Sequence, residues 1–266
     1  MQRNHLAVAG AAVMVGACAL SGPAAAQDLS GSRQSFEKPS NDRIILGIGA
    51  AATPVYQGAD SYRVLPLPAI DIAQGPIFAN FRNGIGVNFV ARPKLTLGSS
   101  VTFMPGYRRR DVPNGIDRLS SGAGARAFAS VSSGGLIATV GATQGFVGST
   151  RGFVADASLS YPIVASRKLI LTPSIATSFA DRRHSDRYFG VTDEEAQASG
   201  LAPWQGKAGF KDASVLLTAI YRLDGRFSLS GSVGATTLLG RTATSPLVAH
   251  KTLPTGFLSL TYRLSR

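Results

Sequence analysis

The 266-residue chain holds one cysteine, Cys18, one tryptophan and three histidines. A lone cysteine can neither close a disulfide within the chain nor build a cysteine zinc site. Acidic residues are scarce, with 15 Asp and Glu against 27 Lys and Arg and a formal charge of +12. Charged residues of both signs reach only 16%, which argues against a disordered chain. No stretch of 18 consecutive apolar residues occurs, so no transmembrane helix is expected. The basic surplus invites a nucleic-acid reading. That partner is not expected, because single-strand binders interleave their basic groups with exposed aromatics.

What the chain does have begins with an export signal. Arg3 supplies a positive start, Leu6 to Leu20 a short apolar stretch, and Ala24-Ala25-Ala26 a small-residue cleavage site before Gln27. Residues 1–26 are therefore expected to be removed, taking Cys18 and His5 with them and lowering the surplus to +11. A cysteine-free mature chain suits an oxidising compartment. Residues 27–43 read as a polar lead-in (Asp28, Ser30, Asn41) and 44–266 as the folded part.

From residue 44 onward the hydropathy alternates with a period of two. Phe153, Ala155, Ala157, Leu159 and Tyr161 oppose Asp156, Ser158 and Ser160; Phe227, Leu229, Val233 and Ala235 oppose Ser228, Ser230, Ser232 and Thr236. Side chains alternate across a strand, so each such segment has one apolar and one polar face. A soluble sandwich would show this too. Three features select a membrane barrel. Strands of about 9–13 residues suit a tilted bilayer crossing. The polar face is mainly Gly, Ser and Thr. Tyr107, Tyr161, Phe179, Tyr221 and Tyr262 fall near strand ends, where an interfacial girdle belongs.

The spacing predicts an all-β, transmembrane antiparallel barrel of twelve strands near 44–52, 64–72, 76–81, 84–91, 95–107, 121–132, 136–146, 152–161, 169–180, 213–223, 226–238 and 256–264. The odd-numbered connections, at 53–63, 82–83, 108–120, 147–151, 181–212 and 239–255, then face one side, outside. The even ones, at 73–75, 92–94, 133–135, 162–168 and 224–225, are all short. Outer-membrane barrels distribute their loops in this way, with both termini in the periplasm. Helical signal is confined to the 181–212 loop, where Thr192 and Glu195 fit a capping box and Gly200 a stop.

No catalytic constellation, cofactor motif or metal set stands out, and no enzyme is expected. Gly47-Ile48-Gly49 lacks the helix that a dinucleotide fingerprint needs. His184, Ser185 and Asp186 are neighbours in a loop, which is not triad geometry. The basic residues form groups. Arg108, Arg109 and Arg110, with Arg182, Arg183 and Arg187, sit on the expected outer loops. They are candidates for gripping lipopolysaccharide phosphate, or simply solvated charge. Arg92, Lys94, Arg167, Lys168 and Arg226 fall in the short turns. Alternation assigns Arg126, Asp156, Arg222 and Arg263 to the lumen.

Several short segments carry a family resemblance: Pro54-Val55-Tyr56-Gln57-Gly58, Leu65-Pro66-Leu67-Pro68, Tyr188-Phe189-Gly190-Val191-Thr192, Gly209-Phe210-Lys211-Asp212 and Ser245-Pro246-Leu247-Val248. In order and spacing the chain resembles the MltA-interacting protein/outer membrane protein V family over about 44–264. The family-motif loop residues are Pro54, Tyr56, Gly58, Tyr188, Gly190, Ser245 and Pro246. The resemblance implies an outer-membrane scaffold linking a lytic murein transglycosylase to a penicillin-binding murein synthase. It brings no catalytic residues. A pore or uptake channel and a surface adhesin are the alternatives. The C-terminal Tyr262-Arg263-Leu264-Ser265-Arg266 departs from the terminal aromatic usual in such barrels.

Overall fold

The computed structural model describes residues 42–264. The expected signal segment, most of the lead-in and the last two residues lie outside that range. Within it, strands β1 (Asp42–Pro54), β2 (Tyr62–Gln74), β3 (Ile77–Asn80), β4 (Gly84–Arg92), β5 (Leu95–Met104), β6 (Gly122–Ser133), β7 (Leu136–Val147), β8 (Phe153–Ser160), β9 (Ile163–Val164), β10 (Leu169–Ala180), β11 (Gly209–Arg222), β12 (Phe227–Leu238) and β13 (Thr252–Arg263) form one antiparallel sheet. β13 pairs with β1, with Ile45 opposite Arg263, and this closes the sheet into a barrel.

β8 and β9 are two pieces of one barrel strand. β8 pairs with the Ser174–Ala180 half of β10 and β9 with Ile170 and Leu171. Tyr161 and Pro162 separate them, and Pro162 has no N–H to give a ladder. The barrel therefore has twelve strands, as the periodicity predicts. β1 starts at Asp42, two residues inside the expected lead-in.

The wall is inverted relative to a soluble protein. Ile48, Val64, Ile85, Phe89, Val215 and Val233 all point outward and are more than half exposed. Their inward neighbours are small and dry: Thr172, Thr218, Ser230, Ser232, Ser259 and Thr261 are each at most 3% exposed. A bilayer is the solvent that matches such a surface, since the closed sheet satisfies most of its own backbone groups. Tyr161 and Tyr221 are exposed on the wall. Tyr107 is not: β5 ends at Met104, and Tyr107 lies buried beyond the barrel. The girdle expectation fails for it because its strand stops short.

Long connections gather at one rim and short turns at the other. One connection departs from the expected loop pattern. β3 is only four residues long, and its turn, residues 81–83, lies within the barrel, where Asn83 is buried. The 181–208 segment contains two helices, α1 (Arg182–Phe189) and α2 (Asp193–Ser199). α2 has the expected capping box of Thr192 and Glu195 and ends on Gly200 in the left-handed region (φ 75°). α1 has no such sequence signature. It is capped by Asp181, whose side chain accepts from the His184 N–H.

Candidate functional site: a capped chamber between two basic rims

The long loops fold over the mouth of the barrel into a core of their own. Tyr56, Tyr107, Val112, Ile116, Tyr188, Phe189, Val191, Trp204, Leu238 and Leu247 are buried together there. Hydrogen bonds tie the rings across distant loops. Tyr56 donates to the Leu247 carbonyl (2.9 Å), Tyr107 to the Tyr188 carbonyl (3.3 Å), and Ser245 to the Phe189 carbonyl (2.6 Å). The Tyr188 hydroxyl accepts from the Gln57 N–H (3.3 Å). Burial holds the Tyr56 and Tyr188 hydroxyls up to about 12, so both stay neutral.

The family-motif residues converge in this cap. Gly58 adopts φ 105°, and its carbonyl accepts from Ala249 and His250. Pro54 is buried at the end of β1. Gly190 closes α1, its N–H donating to Asp186 O (2.8 Å). Pro246 follows Ser245, half-buried.

Below the cap lies a chamber of about 130 Å3. Its ceiling includes Gln57, His184 and Tyr188, and its walls carry Arg82, Arg126, Asp156, Lys211 and Asp212. Arg126 grips Asp156 with both nitrogens (2.5 and 2.9 Å) and also reaches Asn83 and Thr143 (3.2 Å each). Its guanidinium passes over Gly141, where a Cβ would sit 2.2 Å from Nη2. Gly141 is thus the shelf that lets β6 reach β8 across β7.

Lys211 and Asp212 are consecutive, yet both are buried and line the chamber. The register between β10 and β11 shifts at Ser178/Phe179, which leaves Lys211 without an opposite residue. This bulge turns two neighbours inward, where alternation allows only one. Lys211 is bound to Asp212 and donates to Gln57 Oε1 (3.1 Å), while Asp212 accepts from Ser178 (2.7 Å).

His184 is stacked on Tyr188 and bonded through Nδ1 to Thr150 Oγ1 (3.0 Å). Burial, followed by the Lys211 charge, pushes its pKa down to about 3. Asp186 accepts from the Gly206 N–H (2.9 Å) and Ser185 is buried. His184, Ser185 and Asp186 therefore each serve the cap and form no triad.

At the turn rim a second cavity of about 70 Å3 is lined by Arg43, Asp71, Arg222, Arg226 and Arg263 among others. Arg43 holds Asp71 with two bonds of 3.0 Å. The four residues that alternation assigns to the lumen thus separate into two levels. Arg126 and Asp156 meet in the chamber, and Arg222 and Arg263 stand at the opposite end. At the loop rim, Arg108, Arg109, Arg110, Arg182, Arg183 and Arg187 are all exposed. Asp111, next to the first three, is taken by Arg63 (3.1 Å).

The sequence profile of a family described as "MltA-interacting protein MipA" matches residues 46–264. The chain belongs to that family. Comparison with curated proteins finds no match. Among solved structures it is similar to the KdgM porin, at 6% identity over 82% of this chain and 98% of that one with a TM-score of 0.41. It is similar to the NanC porin at 6% identity, covering 82% and 100% with a TM-score of 0.43. An outer membrane channel from Pseudomonas putida F1 aligns at 11% identity, covering 85% and 98% with a TM-score of 0.44. The chain is an outer-membrane β-barrel protein of the MipA family.

Proposed function

We propose that this protein is a closed outer-membrane anchor, whose turn rim holds a murein transglycosylase and, with it, a penicillin-binding murein synthase. The observation that carries this reading is the dry interior. The inward Thr and Ser side chains are buried and the loop core covers one mouth, whereas an open pore keeps its lining wet. A barrel that does not conduct has its rims as working surfaces. The family description names MltA as a partner, and the family resemblance implies that this partner is a murein transglycosylase. Arg92, Lys94, Arg167, Lys168 and Arg226 give the turn rim a basic face for an acidic partner or for anionic cell wall. In this reading the export segment 1–26 is cleaved, the protein performs no chemistry of its own, and the exposed arginines of the cap meet lipopolysaccharide phosphate.

The second reading, a gated channel, draws on the chamber, whose cations Arg82, Arg126 and Lys211 outnumber its carboxylates. Planar-bilayer recording of the purified protein together with capture of the transglycosylase decides between them. The anchor reading expects a silent bilayer and capture that is lost when Arg92, Lys94, Arg167 and Lys168 become Gln. Stable conductance steps with no capture would replace it with the channel.

A further inference from the structure

The barrel wall is incomplete on one side of its loop-rim half. From Tyr62 to Ile70, β2 pairs with β1 alone; only Asp71–Gln74 meets a second strand, the short β3. On the far side, Thr102–Met104 of β5 pairs with β6 alone, because β4 reaches only to Val101. The turn of residues 81–83 forms the sill between them. Across the top, Arg63 joins β2 to the third loop through Asp111 (3.1 Å) and to the first through the Val55 carbonyl (3.2 Å).

A free strand edge normally invites another strand. This one is built to refuse it. In a strand, alternate residues direct their N–H and C=O groups to alternate sides. The β1–β2 register runs unbroken through Pro66 and Pro68, so both prolines turn their donor-less nitrogens away from β1, towards the gap. They remove two of the donors that an added strand would need. The edge is also lipid-facing, since Val64 is 70% exposed on the outer wall.

The gap borders the chamber on its β5 side. Phe103 lines the chamber although its side chain is 43% exposed on the outer wall, while on the β2 side Phe81 packs with Leu65 and Leu67. Arg82 stands on the sill and lines the chamber too. Arg126 and Lys211 each hold a carboxylate, but Arg82 meets only the neutral Ser158 hydroxyl (2.5 Å) among the described residues. The chamber thus presents one cation without an opposite charge, beside a lipid-facing opening with apolar jambs.

We propose that this window is a lateral entry from the lipid for an anionic amphiphile. Its carboxylate or phosphate head lodges on Arg82 in the chamber, and its tail lies along the Val64–Ile70 edge. The chamber, at about 130 Å3, suits a head group and not a whole lipid. The proposal is independent of whether the turn rim holds an enzyme.

The test is photo-cross-linking of the full protein in phosphatidylcholine vesicles. Three probes share a mid-chain diazirine: dodecanoic acid, lysophosphatidic acid and dodecanol. Adducts are mapped by mass spectrometry. At least one of the two anionic probes is expected to concentrate on Val64–Ile70 and Val101–Pro105, and which one does so identifies the head group. Dodecanol is expected to label the wall evenly. Arg82→Gln lowers the concentrated labelling about tenfold, the size of a lost charge-assisted contact, and Arg82→Lys restores much of it. Labelling at Ile175 and Val215, on the outer wall, stays constant and reports a folded barrel. Even labelling by all three probes, or concentrated labelling unchanged in Arg82→Gln, overturns the proposal.

Discussion

The protein has two dry interiors, and they are held by opposite means. The cap is packed from rings and branched chains, with Phe189 and Ile116 fully buried. The barrel interior is packed largely from hydroxyls and ion pairs, with Thr172 equally buried. The difference follows from the solvent outside each. The loops project into water, so burying apolar area drives their association. The wall stands in lipid, which offers apolar groups no reason to turn inward. The inside is left to small polar residues that fit a narrow tube, some of them bonded in pairs such as Ser130–Thr139 and Thr218–Ser232. Buried ion pairs such as Arg126–Asp156 are then affordable because the closed barrel holds them in place, not because they hold the barrel.

The largest expected effect breaks the barrel interior. Asp156→Ala leaves Arg126 buried without its carboxylate and should cost about 4 kcal/mol. Replacing both, as Arg126→Met with Asp156→Leu, should recover most of that. Urea titration of folding into lipid vesicles measures both. A single variant as stable as the parent would mean that water enters the chamber freely and the interior is not dry.

The matching change in the cap is Phe189→Ala. A cavity of that size should cost about 3 kcal/mol, but locally, because the barrel does not depend on the cap core. Trypsin should cut at the exposed Arg182, Arg183 or Arg187 while the barrel keeps its compact migration on unheated gels. Simultaneous loss of both would show that cap and barrel are one cooperative unit, erasing the comparison.

The two regions also differ in how far the sequence reveals them. The barrel is legible because alternation has one cause and one period: Ile48, Val215 and Val233 face lipid for the same reason. Arg126 and Asp156 can be placed in the lumen by parity alone, though not paired, since Gly141 as a shelf is visible only in three dimensions. Lys211 escapes parity because a bulge resets it. The short β3 falls inside the expected 76–81, but its inward turn escapes, since nothing in Phe81-Arg82-Asn83 distinguishes a rim turn from a tucked one. The cap core has no period at all. Its members come from four separate loops and the end of β12, and the recurring family segments mark them without saying that they touch. Leu65-Pro66-Leu67-Pro68 is the instructive case: as a resemblance it is only a label, whereas beside an unpaired edge its prolines have a physical reason.

A milder probe of the cap is pH. His184 is neutral in the folded cap with its pKa at about 3, against about 6.5 when unfolded. The groups facing it are Lys211, the stacked Tyr188 ring and the Thr150 hydroxyl. Between those two values the unfolded loop binds a proton that the folded one refuses. Cap stability is therefore complete above pH 6.5 and declines as pH falls, by at most about 1.4 kcal/mol per unit. Trp204, the single tryptophan, lies in the cap core, so its fluorescence follows the transition. His184→Gln should flatten the acid dependence; an unchanged slope would assign it to other groups.

The smallest effect tests whether hydroxyl pairs do for the lumen what rings do for the cap. Thr218 on β11 and Ser232 on β12 are bonded at 2.9 Å across one ladder step, both dry. Thr218→Val keeps the shape and removes the hydroxyl, leaving Ser232 one partner short, at a cost of about 1 kcal/mol. Adding Ser232→Ala removes the hydroxyl that lost this bond and should return part of that loss. If the interior is polar only because small polar residues fit, the double variant will match the parent. If the hydroxyl network itself stabilises the barrel, the double variant will stay below it, and a double-mutant cycle in vesicles gives the difference directly.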